Sequence, residues 1–177
     1  MRILFLAAAL LLSGCVWSSG VPIYTPADAA HPLAPGRYRV TGGRPAPPIA
    51  RVTVLENGLT SLTGENPGDE VNQVGFIALD NIGRRFLVWV VQEPGPESPT
   101  LQMHVLAEKT AEGEWTVYVP DCEGRNAALV VASGGRLEPD GGRNSCVFDN
   151  RQSLERAMRD AVVGPDRVLI RLSRIDG

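Results

Sequence analysis

Apolar and polar residues alternate along most of the chain from Gly36 onward, with the period of two that is typical of strands having one polar face. This alternation predicts a series of short strands joined by turns, and the regular succession favours an antiparallel sheet. The apolar positions are Tyr38 and Val40; Val52 and Val54; the segments 74–79 and 86–91; Leu101, Met103 and Val105; Trp115, Val117 and Val119; and Val168, Ile170 and Leu172.

Neighbouring strands are separated by residues that favour tight turns. Asn57-Gly58 can supply the two positive-φ residues of a type I′ turn, so residues 50–63 are predicted to form a hairpin. The sequence Asp-Asn-Ile-Gly at 80–83 predicts a second hairpin, and Glu112-Gly113 predicts a third. Longer polar or proline-rich loops are expected at 65–70 and 93–99.

The segment 86–91 is apolar at every position. Both of its alternating faces are therefore expected to be covered, as in a central strand. Trp89 within it is interpreted as a core residue rather than as a platform for a ligand.

One amphipathic helix is predicted near the C-terminal end, over residues 150–163. Asp149 is expected to cap it, with Gln152 three residues later, and Gly164-Pro165 is expected to end it. The helix would cover one face of the sheet. Its apolar stripe at i, i+3, i+4, i+7 and i+8 is Leu154, Ala157, Met158, Ala161 and Val162, and its outer row of charges is Arg151, Glu155 and Arg159.

Together these elements predict one α+β domain over residues 36–177. It would be a mostly antiparallel sheet of about nine strands with one C-terminal helix packed on it. Residues 15–35 contain Ser18, Ser19 and four prolines without an apolar period, so this segment is expected to be a flexible tether. About twenty such residues would span roughly 25 Å and lift the domain off a surface.

The composition narrows the range of functions. Hydrophobic residues make up 44% of the 177-residue chain, which is enough for a single core of modest size. The chain has 17 Lys and Arg residues against 20 Asp and Glu residues, and its formal net charge is −3. A nucleic-acid binder needs a clustered basic face. We therefore expect no nucleic-acid partner.

The N-terminal residues have the features of an export signal. Met1-Arg2 precedes an apolar run from Ile3 to Leu12, which leads to small residues and then to Cys15. Ten residues span about 15 Å as a helix, half the hydrocarbon thickness of a bilayer, so the run is too short to be a stable membrane anchor. Residues 12–15, Leu-Ser-Gly-Cys, resemble the lipobox of bacterial lipoproteins.

This resemblance covers only about fifteen residues, and it implies a definite processing. In that family the cysteine thiol is diacylglycerated and a peptidase then cuts before it. Residues 1–14 would be the signal peptide, and Cys15 would carry acyl chains such as palmitate. Two or three such chains hold a protein durably on a membrane. Val16 stands where an Asp tends to retain these lipoproteins in the inner membrane, so the resemblance implies the periplasmic face of the outer membrane in a diderm.

The two remaining cysteines are expected to form a disulfide. Cys122 and Cys146 lie beyond the export signal, in a compartment that oxidises thiols. Their bond would close the glycine-containing loop 123–145 and tie the end of one strand to the start of the helix. A redox-active pair is the alternative, but the C-x-x-C spacing of such pairs is missing.

No catalytic, cofactor-binding or metal-ligating residue is predicted. His31 and His104 are too far apart in the sequence to form a metal-binding signature, and His104 is placed on the polar face of its strand as ordinary surface. Residues 138–142 lack the alternating oxygen ligands of a calcium loop and are interpreted as a turn. Carboxylate pairs such as Asp69-Glu70 fall in predicted loops, where solvated surface is the usual role.

Two classes of function remain. The leading hypothesis is a non-enzymatic lipoprotein of the cell envelope, tethered to the membrane through Cys15, that binds or organises an envelope protein or a cell-wall component. The alternative is an envelope hydrolase with an unrecognised acid–base pair of carboxylates. A hydrolase should show converging carboxylates with shifted pKa values in a concave pocket, and a binding domain should show an exposed apolar patch or a free sheet edge.

Overall fold

The computed structural model describes residues 17–42, 48–66, 71–91 and 102–175, and in these ranges the chain forms eleven strands and two α-helices. The predicted α+β class and the mostly antiparallel pairing are confirmed. The strands are β1 Trp17–Ser19, β2 Gly36–Thr41, β3 Ile49–Val54, β4 Thr60–Gly64, β5 Val71–Ala78, β6 Arg85–Val91, β7 Gln102–Ala111, β8 Glu114–Tyr118, β9 Arg136–Asp140, β10 Arg143–Val147 and β11 Val168–Arg174. The helices are α1 Gly124–Ala132 and α2 Arg151–Asp160, and single 3-10 turns lie at Pro26–Asp28 and Pro165–Arg167.

Eight of the strands close into a barrel in which every neighbouring pair is antiparallel. The order around the barrel is β2-β3-β4-β5-β6-β7-β8-β11, and β11 pairs with β2 to complete the ring. Strands that follow one another in the chain are therefore neighbours in space. The exception is the step from β8 to β11, where α1, β9, β10 and α2 are inserted.

Side chains fill the interior of this barrel. Eight strands enclose a space just wide enough for side chains or for one small ligand. Leu33, from the segment before β2, joins this inner core with only 2% of its surface exposed. The described interior is thus a packed core. Its members on the strands include Tyr38, Val52, Val74, Phe76, Phe86, Val88, Val105, Ala107, Trp115 and Leu172.

A second core lies between the outer wall of the barrel and the helices. Leu87 and Trp89 of β6 point outward and pack in one cluster with Leu154 and Met158 of α2. All four are at most 1% exposed. The prediction that the segment 86–91 is covered on both faces is therefore confirmed, with the barrel interior on one face and this outer core on the other.

Three further strands extend the sheet sideways from β7. The edge of β7 that faces away from β6 is shared, because residues 106–111 pair with β8 and residues 102–104 pair with β1. Strand β1 pairs in parallel with β10, and β10 pairs antiparallel with β9. Helix α1 packs against β9 and α2. Within the described ranges, no helix is long and apolar enough to cross a membrane.

The prediction of a flexible tether is wrong for residues 17–35. Trp17 and Ser19 are completely buried, and the ring of Tyr24 stacks on Trp89 with the centroids 5.0 Å apart. The backbone N–H of Ala30 donates to β5, and Leu33 closes into the barrel. Serines and prolines suggested a flexible segment, but scattered apolar residues fix it through long-range contacts that have no sequence period.

The prediction of a single helix is also wrong. The expected loop 123–145 contains α1 and the β9–β10 hairpin. Helix α1 reads Gly-Arg-Asn-Ala-Ala-Leu-Val-Val-Ala, which has no alternation of apolar and polar faces, so periodicity could not reveal it. The glycines that suggested a loop serve as connections, since Gly134, Gly141 and Gly142 all have positive φ.

Helix α2 lies where the sequence predicts it, with different ends. It begins after Asn150, whose side-chain oxygen accepts a 2.9 Å hydrogen bond from the N–H of Ser153, so Asn150 rather than Asp149 is the cap. The helix ends at Asp160, before the last residue of the predicted stripe, and Val162 is consequently 46% exposed. The stripe residues that are buried as predicted are Leu154, Ala157, Met158 and Ala161.

The outer row of α2 is confirmed in part. Arg151 Nε lies 2.6 Å from Glu155 Oε1, four residues later. Arg159 does not continue this row. Its Nε donates to the carbonyl oxygen of Leu79 at 3.0 Å, which ties the end of the helix to the barrel wall.

The β3–β4 hairpin is confirmed, but its turn is not type I′. Only Gly58 of the turn has a positive φ, +85°, and Asn57 does not. The N–H of Gly58 donates to the carbonyl of Leu55, and the N–H of Leu55 donates to the carbonyl of Leu59. This is a three-residue loop built from a type I turn and a glycine bulge. The loop predicted at 93–99, part of the loop at 65–70 and Cys15 lie outside the described residues.

Candidate functional site

The described chain begins at strand β1. The predicted disulfide and a buried histidine lie next to this strand. Trp17 lies opposite His104 of β7 on one side and opposite Cys146 of β10 on the other. We name this region, formed by Trp17–Ser19 together with His104, Cys122, Cys146 and Phe148, the β1 junction. The rings of Trp17 and Phe148 are 5.3 Å apart.

The predicted pairing of Cys122 with Cys146 is confirmed at the β1 junction. Their Cα atoms are 5.7 Å apart, within the usual range for a disulfide, and both residues are fully buried. The indole N–H of Trp17 donates to the carbonyl of Asp121 at 3.0 Å, which fixes the chain next to the bond. By the loop-entropy model, closing a loop of this length stabilises the fold by about 3.5 kcal/mol.

Cys15 is outside the described residues, but it precedes Trp17 by two positions. Two residues span at most about 7 Å. Trp17 itself lies opposite Cys146, which is in the disulfide.

His104 is a core residue, which corrects its prediction as ordinary surface. It is only 1% exposed, and its Nε2 lies 3.0 Å from the hydroxyl oxygen of Ser19, which is also buried. Burial lowers the pKa of His104 to about 3, so the ring is neutral at physiological pH. The polar face expected at this position is covered because β1 and the segment after it fold over β7.

The Ser19–His104 pair has the distance of a nucleophile and its base, but its surroundings do not fit catalysis. A working pair needs a third group that orients the base and an open space for the substrate. His104 Nδ1 has no partner among the described residues, and both side chains are sealed from solvent. Their hydrogen bond therefore serves to fix β1 on β7.

The segment that follows β1 crosses the outer core as a strap, which we define as residues 20–35. Gln102 of β7 holds it by its backbone: the side-chain oxygen accepts from the N–H of Ile23 at 2.9 Å, and the amide donates to the carbonyl of Tyr24 at 3.1 Å. The ring of Tyr24 then lies on the Trp89 indole, and Gly75 lies under that indole, because a Cβ at Gly75 would overlap it.

Charged groups fasten the strap to α2. Arg151 contacts Asp28 of the strap at 2.7 Å and Glu155 of α2 at 2.6 Å, and its guanidinium lies over the Tyr24 ring at 5.3 Å. Burial and the nearby carboxylate of Glu155 raise the pKa of the Tyr24 hydroxyl. Hydrogen bonds from Thr25 lower the pKa of Asp28. The strap is thus a structural part of the domain.

A general acid needs a raised pKa. Among the described residues, the carboxylates whose pKa departs from its ordinary value have a lowered pKa instead. Glu65 has a lowered pKa because Arg37 donates to it, and Glu112 has one because Lys109 does. Each of these two carboxylates lines a shallow depression, of about 360 Å³ at Glu65 and about 230 Å³ at Glu112. Within the described ranges, no three potential metal ligands converge.

Two surfaces remain as candidates for contact with a partner. Strand β9 is the free edge of the sideways sheet, but Pro139 lacks an N–H and most of the other side chains are charged, features that discourage pairing with a further strand. Helix α1 has an exposed face that is apolar. Its residues Ala128, Val131 and Ala132 are all exposed, Val131 at 58%.

No protein family, curated protein or solved structure matches the chain. The site is therefore interpreted from its own geometry. Sequence reasoning identified the cysteine pair but missed Ser19, Tyr24 and His104. The sequence does place an apolar Trp17 and Tyr24 among the prolines, and these aromatic residues were the available signal that the segment is folded.

Proposed function

We propose that this chain is a non-enzymatic lipoprotein of the cell envelope, held on a membrane by acyl chains on Cys15. Its folded domain acts as a binding or structural accessory for an envelope protein or a cell-wall component. In a diderm, the acyl chains would insert into the periplasmic leaflet of the outer membrane.

The observation that carries the proposal is the position of the Leu-Ser-Gly-Cys motif relative to the fold. Cys15 precedes Trp17, the first residue of β1, by two positions, and Trp17 lies opposite Cys146 of the disulfide. Lipoprotein processing would begin the mature chain at Cys15, directly before the fold. A disulfide in a small domain also agrees with export to an oxidising compartment.

The geometry favours contact through the surface over enclosure or turnover of a small molecule. The described barrel interior is packed, and the buried Ser19–His104 pair has no access for a substrate. Partners would therefore meet exposed residues on the surface of the domain. A domain of this kind can present such a surface at a fixed place on the membrane.

The test is to express the wild-type chain and the Cys15→Ser variant in the same cells and to separate membranes from soluble material. We expect the wild type to stay with the membranes after a carbonate wash and C15S to be released or to remain unprocessed. Both should contain the Cys122–Cys146 disulfide, which shows that export and folding are intact. Retention in the washed membranes of a C15S product from which residues 1–14 have been removed would contradict the proposal.

A crosslinking experiment on the same membranes addresses the partner. A short amine-reactive crosslinker has few targets here, since Lys109 is the only lysine. Photoreactive residues placed at Ala128 on α1 and at Thr53 on the far barrel wall are more informative. Specific capture of an envelope component from one of these positions alone is the expected result, and equal capture from both positions would argue against a defined partner.

A further inference from the structure

We propose that the folded domain lies directly on the bilayer, without a spacer, and that the apolar face of α1 is its contact with the lipid surface. This inference rests on the proposed acylation of Cys15. It replaces the flexible tether, because residues 17–35, which would have formed most of that tether, are folded.

The first argument is the length of chain between the lipid and the fold. Val16 is the single residue between Cys15 and Trp17, and the two steps span at most about 7 Å. Trp17 cannot be drawn out as a spacer, because its side chain is fully buried and its strand is paired on both edges. The acyl chains therefore bring the β1 junction to within about one side-chain length of the headgroups.

The second argument identifies the face of the domain. Helix α1 begins two residues after Cys122, which is bonded to the residue opposite Trp17. Its buried Val130 belongs to the same core as Trp17 and Phe148. The helix thus lies next to the point where the chain leaves toward Cys15. Strand β3 is four strands from β7 in the ring of eight, so it forms the opposite wall of the barrel.

The third argument is the chemistry of the two helices. The exposed face of α2 carries Arg151, Arg156, Arg159 and Asp160, as expected of a solvated helix. The exposed face of α1 has Ala128, Val131 and Ala132 at i, i+3 and i+4, and Arg125 in the first turn is the one charged residue within the helix. An apolar face with a basic residue at its border suits the interface of an anionic bilayer.

The test uses the acylated full-length protein in vesicles of phosphatidylethanolamine and phosphatidylglycerol. Single cysteines replace Val131 on α1 or Val54 on β3, which is 41% exposed on the opposite wall. Each is labelled with an environment-sensitive fluorophore, and lipids with a nitroxide near the headgroup serve as quenchers. The two valine-to-cysteine changes are matched in chemistry, and both positions are exposed, 58% at Val131 and 41% at Val54.

We expect the label at position 131 to be quenched at least threefold more strongly than the label at 54. Equal weak quenching at both positions would show that the domain stands away from the membrane, and stronger quenching at 54 would show that the opposite wall faces it. A disulfide between two copies of Val131→Cys would identify α1 as a protein contact. Each of these three results overturns the inference.

Mass spectrometry of the same sample distinguishes a failure of this inference from a failure of the proposed function on which it rests. An acylated Cys15 with equal weak quenching at both positions refutes this inference and leaves the proposed lipid anchor in place. A free Cys15 thiol with no binding to vesicles refutes the lipid anchor itself. A variant with a spacer of twenty Gly and Ser residues inserted after Val16 is the reference for a domain held at a distance from the membrane. The label at position 131 should be less quenched in this variant.

Discussion

At the residue scale, the packing of Trp89 requires a glycine at position 75. The indole lies directly on the backbone of Gly75, and the ring of Tyr24 is stacked on it with the centroids 5.0 Å apart. The indole is thus held from both sides and has little freedom to move. Overpacking a core usually costs 1–3 kcal/mol or somewhat more.

We therefore expect Gly75→Ala to lower the free energy of unfolding by about 3 kcal/mol, with a corresponding fall in Tm. The matched control is Gly20→Ala, because a Cβ at Gly20 would meet nothing within 4 Å. Denaturant unfolding of the two variants measures the difference. Equal stability of both would mean that Trp89 does not lie on Gly75.

His104 makes stability depend on pH in a defined direction. Its pKa is about 3 in the folded protein and close to the ordinary 6.5 when unfolded. The unfolded chain therefore binds the proton first as the pH falls, so stability is present above pH 6.5 and is lost between pH 6.5 and 3. From pH 7 to 4.5 this loss amounts to roughly 2 kcal/mol.

The variant His104→Gln should weaken this pH dependence, because Gln can bond to Ser19 without titrating. Unfolding by urea at pH 7 and 4.5 checks it, and His31→Gln is the control because His31 is exposed. We expect the loss of stability on acidification to shrink in H104Q and to stay at the wild-type value in the control. An unchanged loss in H104Q would contradict the burial of a neutral ring.

At the element scale, the sequence predicts what has a period. Strands such as β2, β3 and β11 alternate regularly, and α2 has an apolar stripe, so all of these elements were predicted. Strand β1 has three residues, all buried, and α1 is apolar on its exposed side as well, so neither has a polar face to mark it. Barrel closure is a further property that local patterns do not contain, since it depends on β11 meeting β2.

The same reasoning explains the site. The disulfide followed from the count of cysteines and the export signal, which are properties of the sequence. The Ser19–His104 bond joins residues 85 positions apart and depends on β1 lying beside β7. Such a pairing cannot be read from either segment alone.

The packing of α2 gives the test at this scale. Met158 is fully buried in the outer core, whereas Arg156 is exposed. Met158→Asp puts an unpaired charge among apolar side chains and should cost several kcal/mol. Arg156→Ala should change stability by less than about 0.5 kcal/mol. Thermal unfolding of both variants checks the assignment, and similar shifts in Tm would show that the face is wrong.

At the scale of the whole molecule, the strap belongs to the folded domain. Trp17, Tyr24 and Leu33 contribute to the two cores from outside the predicted domain boundary at residue 36. A chain beginning at Trp17 should therefore fold cooperatively and form its disulfide. A chain beginning at Gly36 loses these three anchors and should be largely unfolded at 25 °C. Near-ultraviolet circular dichroism compares the two chains. Equal native signals would show that residues 17–35 are a tether and not part of the folded domain.

The central claim is that Cys15 is the lipid-bearing N-terminus of a domain held against a membrane. Mass spectrometry of the N-terminal peptide from membrane-extracted protein tests it most directly. We predict a peptide that begins at Cys15 and carries a diacylglycerol on its sulfur. A peptide that continues upstream through an unmodified Cys15, or a soluble product with a free thiol there, would contradict the claim.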